Sequence, residues 1–128
     1  MKIIEVNFQM DTKYPYSFTY SPDGMLLLDL PNEIRLFSHF IELIALEDEV
    51  NEIIESIDSV QRGDKESEEI MIDAPTVLIK PNITSVSLAD ILDEPPPDQY
   101  IETDEFRKLI LIWQEKLPVR FINKDDVL

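Results

Sequence analysis

The apolar positions of this chain switch between two periods. Near the start, Ile4, Val6, Phe8 and Met10 alternate with Glu5, Asn7 and Gln9, and Tyr16, Phe18 and Tyr20 alternate with Ser17, Thr19 and Ser21. A period of two buries one face of a sheet, so both runs predict strands. Pro22-Asp23-Gly24 supplies turn chemistry, because proline presets one backbone angle and glycine accepts a positive one. Residues 25–28 then read as a third short strand of an antiparallel meander, since the connections are too short for crossover helices. From Pro31 the period lengthens. Phe37, Phe40, Ile41 and Ile44 fall at i, i+3, i+4 and i+7, one face of a helix, with Asp29 or Asn32 placed to help at its start.

Leu46, Val50, Ile53, Ile57 and Val60 share a second helical face. At about 100° per residue, the steps from Phe37 to Leu46 amount to about 900°, half a turn out of phase. One straight helix would carry stripes on opposite sides. The spacing therefore predicts a break near 45–49, or two helices packed differently; the alternative is one helix sandwiched between two layers. Gly63 is placed to cap the C-terminal end. Residues 69–73, 76–80 and 83–88 read as strands, with turns at Ala74-Pro75 and Pro81-Asn82. Residues 90–100 read as a loop stiffened by Pro95-Pro96-Pro97. Thr103 is an expected N-cap, with Asp104 and Glu105 in the first turn of a final helix. Phe106, Leu109, Ile110 and Trp113 form its apolar stripe, and Pro118 stops it. The expected class is α+β: an antiparallel β-sheet with helices packed on it, a helical segment in the middle and a C-terminal helix, all in one domain over 1–128.

Composition narrows the chemistry. The chain has 128 residues, 44% of them hydrophobic, enough for one real core. It has no Cys, which excludes disulfides and Cys-based zinc sites, and two isolated Gly, which cannot build a phosphate loop. Against 27 Asp+Glu stand 11 Lys+Arg, a net charge of −16. Such a chain repels nucleic acid and anionic membranes, so neither is an expected partner. The longest apolar run, 109–113, falls far short of the roughly 20 residues that span a bilayer. Glu5 stands where a secretory signal would stay apolar, so the expected location is the cytoplasm.

The acids are concentrated. Residues 42–73 hold twelve acids and two bases, and residues 90–105 hold seven acids and no base. A solvated acidic surface is the plain reading. The functional one is a docking face for a basic partner, because opposite potentials raise association rates. Glu47, Asp48, Glu49, Glu52 and Glu55 lie largely off the second apolar stripe; Asp93, Glu94 and Asp98 lie on the proline-stiffened loop. Tyr100, with Tyr14 and Tyr16, lies beside a turn or loop and is a candidate anchor. The two stretches are expected to lie side by side.

No catalytic, cofactor or metal residues are expected. His39, between Phe37 and Phe40, reads as a partly buried helix residue, since it has no second His or Cys beside it. Carboxylates are so abundant that no one pair stands out for acid–base work, and no calcium-loop motif occurs. The serines lack a glycine-flanked elbow. Trp113 and Phe106 read as core.

In order, the helix ending near Gly63, Ile70-Met71-Ile72, Val77-Leu78-Ile79, Ile83-Thr84-Ser85-Val86 and the helix opened by Ile101-Glu102-Thr103-Asp104-Glu105-Phe106 make a pattern. Over 68–117 it is similar to small acidic immunity proteins of bacterial polymorphic toxin and contact-dependent growth inhibition systems. The resemblance implies a non-enzymatic protein that binds a cognate toxin domain and covers its active site. With the charge, it points to a basic toxin domain at the C-terminus of a secreted effector, a nuclease first among the options. Three other readings follow from acidity alone: a nucleic-acid mimic that occupies DNA-binding proteins, a carboxylate-rich metal-dependent hydrolase, and an acidic subunit of a larger assembly.

Overall fold

The computed structural model describes residues 11–88 and 93–121. The strand expected over 4–10, and Asp90, lie outside them. The second alternating run forms β1 (Ser17–Tyr20), which pairs antiparallel with β2 (Leu26–Asp29) across the expected turn, where Gly24 takes a φ of +83°. Pro31 precedes a 3₁₀ turn, Asn32–Ile34, which leads into α1 (Arg35–Ile41). No side chain caps that start; the Asp29 carboxylate instead accepts from the Thr19 hydroxyl across the hairpin.

The half-turn phase difference is resolved by two helices. The chain leaves helical geometry after Ile41 and resumes it in α2 (Glu47–Arg62). Phe37, Phe40, Ile41 and Ile44 are fully buried on one side of the break; Val50, Ile53, Ile57 and Val60 are buried on the other. The break frees the Ile44 carbonyl to accept the Trp113 indole N–H at 3.0 Å. Gly63 ends α2 in the left-handed conformation, φ +88°, as glycine alone does without strain.

A meander follows: β3 (Glu68–Met71), β4 (Thr76–Ile79), β5 (Ile83–Ser87) and β6 (Gln99–Glu102) form an antiparallel sheet in the order β3-β4-β5-β6. The last strand corrects the expectation of a loop over 90–100. Ile101 is buried opposite Thr84, and that pairing draws the preceding residues into the sheet. Then comes α3 (Thr103–Lys116). Thr103 is not its N-cap. It is the first helical residue and fully buried, and its hydroxyl lies 2.9 Å from that of Thr84 and 2.6 Å from the Lys80 carbonyl it donates to.

Register fixes the faces. Ile70, Val77 and Val86 line up across one face, as do Ile79, Thr84 and Ile101. Against this face lie α2, over β3 and β4, and α1 and α3, over β5 and β6. The β1–β2 hairpin covers the far side of the helices, where Phe18 stacks on Trp113 and lies under the Lys116 ammonium. The other face of the sheet, with Glu69, Leu78, Ser85 and Tyr100 in one row, has no helix among the described residues packed on it.

Candidate functional site

Helix α2 holds most of the expected docking residues, and its two halves differ. In the C-terminal half Asp58 pairs with Arg107 of α3 at 2.9 Å, Gln61 donates to Asp104, and Glu55 meets Arg62 at 3.5 Å. In the N-terminal half Glu47, Asp48 and Glu52 are exposed and meet no Lys or Arg among the described residues. Glu47 accepts only a 3.4 Å bond from the Gln114 amide. The first-turn acids suit the positive end of the helix dipole, so the fold tolerates them there without a cation. Glu49 is committed to the fold. It is half-buried, and its carboxylate reaches back to accept from the N–H groups of Ala45 and Leu46, 2.9 Å each, which starts the helix after the break.

Beside this half of α2 runs a groove of about 340 Å³ shared with β3. Ile53, Ile70 and Ile72 line it together with Glu49, Glu52 and Glu68, and Met71 lies at its rim, 59% exposed. The acid-rich stretch 42–73 takes in β3, but its residues singled out as docking candidates lie on the helix, not the strand. The signal was there: Glu68-Glu69 directly before Ile70-Met71-Ile72 is an acidic pair leading a short apolar strand.

The second acidic stretch lies elsewhere. Asp93, Glu94 and Asp98 are exposed and make no ion pair among the described residues, and Tyr100 is 59% exposed on the uncovered sheet face. Residue 98 enters β6 at the end of the sheet where Met71, Thr76 and Ser87 lie. The start of α2 comes to that same end, since its last turn is bonded to Pro81 and Asp104 at the other. The two stretches thus share an end but approach from opposite edges, three strand spacings or roughly 14 Å apart across the sheet.

Of the other aromatic candidates, Tyr14 and Tyr16 pack half-buried against the core. The Tyr14 hydroxyl donates to Glu102, which Lys13 also binds; these two donors, Lys13 foremost, lower the Glu102 carboxyl to about 2. His39 is exposed on α1 rather than partly buried, because the apolar side of that helix is filled by Phe37, Phe40 and Ile41. Burial raises the Glu42 carboxyl above its ordinary value, against the Leu28 N–H that donates to it at 2.7 Å and the nearby His39. Among the described residues no three acidic or imidazole side chains converge as metal ligands, and no helix is long and apolar enough to cross a membrane.

No protein-family model and no solved structure matches the chain. An immunity protein of Bacillus cereus is 36% identical to it over 112 residues, covering 81% of this chain and 88% of the relative. That likeness takes in most of both chains, far beyond the span 68–117 of the sequence pattern, and with it the chain belongs to the family of that immunity protein.

Proposed function

We propose that this chain neutralises a toxin domain by binding it, without catalysis, in the cytoplasm of the cell it protects. The toxin is a basic domain at the C-terminus of a secreted effector, and a nuclease fits best, since an enzyme that handles phosphates carries a positive cleft. The name of the Bacillus cereus relative supports the toxin-neutralising part. The observation that carries the charged surface is the set Glu47, Asp48 and Glu52, exposed and without a cation among the described residues, beside the α2–β3 groove. Uncompensated charge of one sign speeds the encounter with a partner of the other, and buried apolar contacts then hold the complex. Asp93, Glu94, Asp98 and Tyr100 extend the surface at the far edge, while Glu49 and Glu55 contribute less because each already has a partner.

The test is stopped-flow association with the purified cognate toxin domain. Asp48→Lys combined with Glu52→Lys is expected to slow association about tenfold at low salt and far less near molar salt. Rates indifferent to both mutation and salt would overturn the charged-surface reading.

A further inference from the structure

The four-stranded sheet ends on β3, and the outer edge of β3 pairs with no described strand. The backbone there can be oriented from one bond. The Ile72 N–H donates to the Pro75 carbonyl at 3.3 Å. Bonded pairs recur at every second residue of an antiparallel ladder, so Ile70 and Glu68 turn their backbone groups toward β4. Glu69 and Met71 turn theirs outward. An outward row of N–H and C=O groups is a template for another strand, which proteins usually block with lysine, proline or a bulge. Here none of those is present over 67–72; the guard is anionic, with Glu69 on the strand and Glu52 on the neighbouring helix, while Glu68 is paired with Lys65, which lies just before the strand.

An anionic guard is selective. It opposes pairing with a second copy of the same strand, which would set Glu against Glu, and it favours a strand that carries Lys or Arg. The α2–β3 groove supplies the other half of such a site. Alternate side chains of an added strand would point toward Ile53, Ile70 and Ile72, where a long basic side chain can lay its methylene stem while its charge reaches Glu52. We infer that the outer edge of β3, unpaired among the described residues, receives an extended segment of the toxin, alternating basic with apolar residues, as a fifth strand of the sheet. This rests on the binding role proposed above and assigns it a place and a mode. Main-chain bonds to Glu69 and Met71 give affinity, and the groove gives selectivity.

The experiment uses the full chain, isotopically labelled, with a short end-blocked peptide alternating lysine and valine as probe. Amide exchange at Glu69 and Met71 is expected to slow on titration, and a peptide alternating glutamate and valine is expected to leave it unchanged. Met71→Pro deletes an outward N–H and no ladder bond, and is expected to weaken the lysine peptide by about tenfold or more, whereas Met71→Leu retains it. A melting curve checks that the proline variant folds; the exchange measurement on the unaltered chain stands without it. Protection confined to the exposed side of α2, equal binding of both peptides, or self-association through β3 would each overturn the inference. Toxin neutralised with unchanged affinity by folded Met71→Pro would overturn the edge and leave the binding role standing. Failure of the toxin to bind at all, with the β3 amides still protected by the lysine peptide, would do the reverse.

Discussion

The two edges of the four-stranded sheet are finished in different ways. At β6 the protein attends to the edge itself. The 3₁₀ turn at Asn32–Ile34 packs beside it, the Gln99 amide bridges the Asn32 carbonyl and the Leu36 N–H, and Lys13 and Tyr14 both bind Glu102. At β3 no described strand pairs with the outer edge, and among the described residues the one side-chain bond there joins Glu68 to Lys65. A closed edge adds stability and rigidity. An open edge with a charged guard adds little stability and remains available to a partner of the right sign. The lesson is that charge density alone does not mark a site: Glu102 lies in a segment without a base and is fully engaged, while Glu52 meets no base among the described residues.

That contrast can be broken at the closed edge first. Thr103→Val removes a buried hydroxyl where β6 passes into α3, leaving the Lys80 carbonyl and Thr84 short of a partner. It is expected to cost about 1–3 kcal/mol in urea unfolding, with no effect on partner association. Next, Glu102→Gln sharpens the electrostatic side. A carboxyl held below its ordinary value contributes stability that is complete above that value and is lost as pH falls through the lowered one. The variant is expected to be less stable than the parent at neutral pH, with the gap closing as pH drops from the ordinary 4.5 toward about 2. Because Glu102 and Lys13 are partly solvated, the gap is modest. Smallest is Glu69→Ala on the open edge, expected to shift thermal stability by less than about 0.5 kcal/mol. A larger loss there would mean that β3 is bound up with the fold in a way its outward groups do not suggest.

Much of this architecture was legible because it rests on local periodicity. The half-turn slip between Phe37 and Leu46 could be resolved only by interrupting the helix, and the chain does so at 42–46. The strands at 68–71, 76–79 and 83–87 followed from short apolar runs between turns. Features set by distant partners were not legible. Strand β6 was hidden behind three prolines, with Ile101 its sole buried apolar residue. Thr103 has the side chain of a cap, but Thr84 and Lys80, far away in sequence, recruit its hydroxyl. For the candidate site, counting acids pointed to α2. It could not tell a carboxylate that starts a helix, such as Glu49, from one without a bonded partner among the described residues, such as Glu52, nor which sheet edge each acidic stretch would reach.

The helix interruption has a practical consequence. The chain contains a single tryptophan, and its indole is bonded to the carbonyl that the interruption exposes. Fluorescence excited at the indole therefore reports on one joint, free of signal from any other tryptophan. A partner that bends α1 against α2 changes the emission, and one that settles on the sheet edge leaves it dark to the event, so the molecule carries its own label for distinguishing the two.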